Sequence, residues 1–129
     1  MIARGTFEVR SLPRPTDNDG GGPFSRLFLD KTFHGDLIGT SKGHMLGAAT
    51  TVEGSAGYVA LELVTATLNG RRGSFILQHS GHMTRGGMTM TITVVPDSGT
   101  DGLAGLAGRF AITITEGKHF YTFEYTLGT

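Results

Sequence analysis

Apolar and polar residues alternate with a period of two along most of this chain, most cleanly in its last third. Met88, Met90, Ile92 and Val94 take one phase, and Thr89, Thr91 and Thr93 the other. The pattern recurs with Phe110, Ile112 and Ile114 against Ala111, Thr113 and Thr115. It recurs again with Tyr121, Phe123, Tyr125 and Leu127 against Thr122, Glu124 and Thr126. Successive side chains of a strand point to opposite faces, so each run predicts a strand with an apolar face and a threonine-coated one.

Earlier segments read the same way. Residues 3–10 alternate, with Phe7 and Val9 opposed to Thr6, Glu8 and Arg10. Strands are predicted at "FSRLFLDKTFH", at the glycine-broken "GDLIGTSKGHML", at "YVALELVTATL" and at "SFILQHSGHM". "NGRRG" carries the Asn-Gly signal of a tight hairpin, "TRGG" marks the next turn, and a last hairpin turns around Gly117 and Lys118. Residues 11–23 hold three of the 4 prolines and a glycine run, which predicts a flexible loop. No stretch sustains helical spacing for three turns. The expectation is an all-β chain with little or no helix, a meander of about eight antiparallel strands forming a sandwich or barrel. Eight strands suit a closed antiparallel β-barrel just wide enough for one small ligand, and closure removes exposed edges.

Composition narrows the function. The 129 residues fit a single domain, 1–129, large enough to bury a core without staples. With 0 cysteines there is no disulfide framework, thiolate nucleophile or thiolate metal site, which fits a cytoplasmic setting. No run is long enough to span a membrane, and the N-terminus enters alternation without a signal-like apolar core. Basic and acidic residues number 11 each and do not cluster, which argues against nucleic acid; near-neutral charge permits homo-oligomers.

Motifs with chemistry are few. "GLAGLAG" (102–108) is followed by a strand pattern, not by the helix a phosphate loop requires, so it reads as a loop tucking Leu103 and Leu106 against a barrel end. His79 and His82 are three apart and face opposite sides of a regular strand, so no local metal chelate is expected. Nothing matches a nucleophile elbow.

Polar residues inside apolar strands carry more. Adjacent Gln78 and His79 must face opposite sides, and the phase of Phe75 and Leu77 turns His79 inward unless a bulge near Gly81 swaps them. The strand holding Glu62 leaves both phases open: one face has Tyr58, Ala60, Glu62 and Val64, the other Val59, Leu61, Leu63 and Thr65. Inward, Glu62 would be a costly buried carboxylate suited to acid–base work.

Four segments together, "FHGDLIGTSKGHML", "GSAGYVALELVTATLNGRRGSFILQHSG", "VVPDSGTDGLAGLAG" and "GKHFYTFEYTL", resemble the bacterial DUF3224 family over nearly the whole chain. That family is similar in fold to plant allene oxide cyclase, which implies an eight-stranded antiparallel barrel with a central cavity. Its function is unknown, so the resemblance supplies no catalytic residues and does not imply the cyclase chemistry.

Two functions follow as expectations. One is a cofactor-free isomerase or cyclase acting on an apolar or aromatic small molecule, with Glu62, His79 and Tyr125 as catalytic candidates. Its lumen would be lined by Tyr58, Phe75, Leu77, Met88, Met90, Ile92, Phe110, Ile112, Tyr121 and Phe123. The other is a non-catalytic, lipocalin-like binding barrel with the same cavity. A third is a barrel filled by side chains whose role lies in oligomerisation.

Overall fold

A computed structural model describes residues 1–16 and 22–128. Eight strands follow one another: β1 (Ile2–Arg14), β2 (Phe24–Gly35), β3 (Leu37–Ala49), β4 (Ala56–Leu68), β5 (Arg71–Thr84), β6 (Gly87–Val94), β7 (Ala107–Thr115) and β8 (Lys118–Thr126). Each pairs antiparallel with the next, and β8 returns to β1 to close the barrel. The only helical piece among the described residues is a single 3-10 turn, Asp101–Leu103.

The meander follows from its turns. Asn69 and Gly70 both take positive φ, 46° and 86°, as the two-residue hairpin favoured by strand twist requires. Arg85 with Gly86 and Glu116 with Gly117 repeat that geometry. Part of the segment predicted as loop is strand: Ser11, Leu12, Pro13 and Arg14 continue β1 in register with β2. Proline fits there because β1 pairs with β8 only as far as Phe7, so Pro13 sits where one side of β1 has no ladder to break. The rest of that predicted loop lies largely outside the described residues.

One end of the barrel is plugged. The connection between β6 and β7 folds under it and buries Leu103 and Leu106 completely or nearly so. The Ser98 hydroxyl accepts from the Ile76 amide at 3.0 Å and donates to the Val95 carbonyl at 2.7 Å, holding that connection to β5. Above the plug the interior is filled by packed rings. Phe33 touches Phe7, Phe110 and Tyr121, Phe110 touches Phe123, and Phe123 touches Phe75 and Tyr125, with centroids 5.1–6.0 Å apart. Such offset and tilted pairs add about 0.5–1.5 kcal/mol each beyond area burial. Phe75, Leu77, Ile92, Phe110, Tyr121 and Phe123 are therefore core-filling side chains, where the sequence suggested the lining of an open lumen.

The opposite end is open along one seam. Strands β6 and β7 share only two rungs, Ile92 with Phe110 and Thr93 with Arg109, and beyond these no rung joins them. This corrects the placing of Met88 and Met90 in the lumen: they are 54% and 38% exposed. Their inward phase is as read from the sequence, but β7 is not paired with β6 at their level and leaves them uncovered.

Candidate functional site

Four polar side chains from four strands meet inside the wall toward the open end. Glu62 on β4 points inward and is 1% exposed. The more apolar face of β4 points out, with Val59, Leu61 and Leu63 each about half exposed. The inward positions beside Glu62 are Ala60, Val64 and Ala66, small enough to face an interior already filled with rings. Room for the carboxylate comes from β3, where Gly43 is the register partner of Glu62. A Cβ on Gly43 would stand 2.6 Å from the Glu62 Cβ.

Three donors converge on that carboxylate. The Lys31 ammonium on β2 donates to Oε2 at 2.8 Å, and the Ser41 hydroxyl on β3 donates to Oε1 at 2.7 Å. His79 on β5 is hydrogen-bonded through Nε2 to Oε2. Lys31 also sits over the Phe7 ring, 5.2 Å from its centroid. Burial pushes the Glu62 carboxyl up, but the His79 hydrogen bond and the Lys31 charge outweigh it and hold the pKa at about 2. Glu62 is thus ionised and can only accept, so Nε2 of His79 is the donor.

That assignment fixes the other ring nitrogen. His79 is 4% exposed, and its Nδ1 has no hydrogen-bond partner among the described residues. No fully buried side-chain nitrogen or oxygen among them lacks a partner, so Nδ1 touches accessible space. In the neutral imidazole it carries the lone pair.

Tyr58 lies between this cluster and the outside. Its ring packs over Gly81, where a Cβ would come within 2.5 Å of it. Burial and then the Glu62 charge raise its phenol pKa above 10.0. Tyr58 also lines a cleft of about 240 Å³ at the open end, shared with Met45, Met83 and Met88. A second cleft, about 360 Å³, fills the gap between β6 and β7 and reaches Ile92, the register partner of His79. A larger groove of about 670 Å³ opens on the outside, along Met1, Arg109 and Glu124, and touches none of the four clustered residues.

The predicted catalytic set is only partly brought together. Glu62 and His79 meet, with His79 inward and Gln78 exposed as the phase of β5 predicted; the β4–β5 register runs unbroken past Gly81. Tyr125 does not join them: its hydroxyl accepts from Asn69 Nδ2 at 2.7 Å, at the far end of β4. Ile112 is partly buried. Lys31 and Ser41 were missed. The signal for Lys31 was its phase, since it alternates inward with Leu29 and Phe33. Ser41 is then its register partner across β2 and β3. Among the described residues no three His, Cys, Asp or Glu side chains form a metal-binding group. None of the described helices is long and apolar enough to cross a membrane.

Comparison with known proteins points one way. The family model "Protein of unknown function (DUF3224)" matches residues 3–125. A crystal structure of a protein with unknown function from the DUF3224 family of Shewanella oneidensis MR-1 is similar at 46% sequence identity. Its TM-score is 0.94, and the match covers 100% of this chain and 98% of that one. No curated protein matches.

Proposed function

This chain belongs to the DUF3224 family, whose function is unknown, and from that premise we propose that its barrel moves a proton on a small apolar molecule bound at the open end. One observation carries the reading: a buried imidazole with one nitrogen tied to an ionised carboxylate and the other without a hydrogen-bond partner among the described residues. A carboxylate that fixes the tautomer and orientation of a histidine is a recurring way to prepare a base. The roles differ from those expected of the sequence. Glu62, with its pKa at about 2 and three donors on it, is a poor base and acts as a positioning residue. His79 takes the proton at Nδ1 and returns it to another atom of the same molecule. The result is an isomerisation or cyclisation with no net redox change and no cofactor.

Native mass spectrometry of the purified protein identifies any retained small molecule. Exchange of that molecule's C–H positions with deuterated solvent then reports proton transfer. His79→Gln, folded by circular dichroism, is expected to slow exchange by about a hundredfold or more. Exchange at the wild-type rate in that variant overturns the assignment. A molecule held without exchange in the wild type leaves a binding barrel instead.

A further inference from the structure

We propose that the molecule handled at the open end is an uncharged, enolisable ketone or aldehyde, and that Tyr58 is the second catalytic residue, donating its hydroxyl hydrogen to the carbonyl oxygen. The inference rests on the reading above, in which His79 is the base, and names the substrate class of that same site. An imidazole is too weak a base to draw a proton from an unactivated C–H bond. The bond must adjoin a group that takes up the electron pair. A carbonyl does so when a fixed donor meets the charge growing on its oxygen. That donor has to stand on the Nδ1 side of His79. Lys31 does not, because it and Nε2 of His79 both bond Oε2 of Glu62, and Nδ1 points away from that carboxylate.

Tyr58 is placed to be the donor. Its register partner across β4 and β5 is Gly81, and that of His79 is Ala60, so the two are diagonal neighbours on the inner face. Diagonal positions lie about 7–8 Å apart, within reach of an aromatic side chain. The phenol leans across onto β5: a Cβ on Gly81 would stand 3.1 Å from its Cζ, the atom that carries the hydroxyl. Ala60, which adjoins both residues, adds only a methyl group. The Tyr58 hydroxyl has no hydrogen-bond partner among the described residues, and no fully buried side-chain oxygen there lacks one, so it touches accessible space as Nδ1 does. Burial, then the Glu62 charge, keeps it protonated and able to donate.

Charge selects the class. Lys31 and Glu62 cancel each other. The cleft of about 240 Å³ in front of Tyr58 is lined by no Asp, Glu, Lys or Arg side chain, so it offers a charged molecule no counter-ion. Its three methionines suit an apolar body of irregular shape. In the reaction Nδ1 takes a proton from the carbon beside the carbonyl. The C–H pair becomes a C=C bond and the C=O π pair moves onto oxygen, which the Tyr58 hydroxyl holds. The proton then returns from Nδ1 to the same carbon, or to the far end of an adjoining double bond, and the carbonyl re-forms. The first outcome is exchange and the second isomerisation, and both leave His79 and Tyr58 as they began.

The test follows deuterium entry into 2-indanone, a flat apolar ketone, by NMR in D2O with the full chain. The wild type is expected to speed exchange beyond free imidazole at equal concentration, and to saturate. Tyr58→Phe should lower the limiting rate about a hundredfold while half-saturation stays nearly unchanged. Its urea midpoint should match the wild type, because the hydroxyl has no partner within the chain to lose. His79→Gln should abolish the acceleration. Exchange at the wild-type rate in Tyr58→Phe, with loss in His79→Gln, overturns this proposal and leaves His79 as the base. A wild type no faster than free imidazole also overturns it. So does a Tyr58→Phe defect confined to half-saturation, or one matched by a lower urea midpoint, since either gives the hydroxyl a binding or structural role. If a molecule retained by the purified protein exchanges its C–H positions but has no carbonyl, the substrate class falls while the base assignment stands.

Discussion

Lys31 and Glu62, from strands that do not pair with each other, form an ion pair of 2.8 Å with side chains 8% and 0% exposed. The two desolvated charges hold each other, with Ser41 and His79 as further partners of the carboxylate. Removing Lys31 leaves Glu62 buried without its full counter-charge, at a cost of up to about 3–5 kcal/mol. Lys31→Met is expected to lose that much in urea unfolding. The double variant Lys31→Met, Glu62→Gln should be more stable than Lys31→Met alone, because the neutral amide still accepts from Ser41 and carries no stranded charge. A double-mutant cycle reads the difference directly.

The same carboxylate makes stability depend on acid in a defined direction. Its pKa is about 2 in the folded barrel against 4.5 ordinarily. Between those values the unfolded chain binds a proton that the folded chain does not, so stability rises with pH there. The contribution of Glu62 is fully present above about pH 4.5 and is lost as the pH falls toward 2. Unfolding midpoints measured across this window should fall less steeply with acid in Glu62→Gln than in the wild type. Equal slopes would assign the acid sensitivity to other carboxylates.

How much of this was legible depended on what each residue's burial answers to. The phases of β6, β7 and β8 were plain, because threonine fills the outer positions and apolar residues the inner ones. The barrel followed from eight such strands and their turns. On β4 the pattern was silent or misleading: Val59, Leu61 and Leu63 are more apolar than Ala60, Glu62 and Ala66, yet they face out. The inner face of β4 is set by the rings on the other strands, which leave space for alanine and a carboxylate but not for a leucine row. Lys31 was readable by phase. Its partner was not, because Glu62 lies 31 residues away, on the far side of β3, and the two meet only across that strand on the inner face of the wall. Met88 and Met90 show the remaining limit, since phase reports which way a side chain points and not whether the next strand covers it.

Gly43 tests whether the site is held open by backbone proximity. A Cβ there meets the Leu61 carbonyl oxygen at 2.5 Å as well as Glu62. The backbone contact cannot be relieved by a side-chain rotation. Gly43→Ala should therefore destabilise by about 1–3 kcal/mol or more and disturb the His79 ring resonances. Gly57→Ala is the control: its nearest contact would be 3.9 Å, an ordinary van der Waals separation, so a change within about 0.5 kcal/mol is expected.

Tyr121 closes the turn between β2 and β3 in a way no apolar ring can. The Leu37 amide donates to its hydroxyl at 2.9 Å, and the hydroxyl donates to the His34 carbonyl at 2.9 Å. Burial raises this phenol's pKa, with the nearby Asp36 charge acting the same way and the Leu37 amide opposing them. The hydroxyl therefore stays protonated through the neutral range and keeps its donor role. Tyr121→Phe retains the stack on Phe110 but leaves the buried Leu37 amide without that partner, at a cost of about 1–3 kcal/mol. Urea unfolding gives the magnitude, and amide hydrogen exchange gives the location: Leu37 should lose protection selectively, while Leu77 and Phe123 in the ring-packed interior keep theirs. Uniform loss across all three would mean that the hydroxyl supports the whole barrel and not this turn.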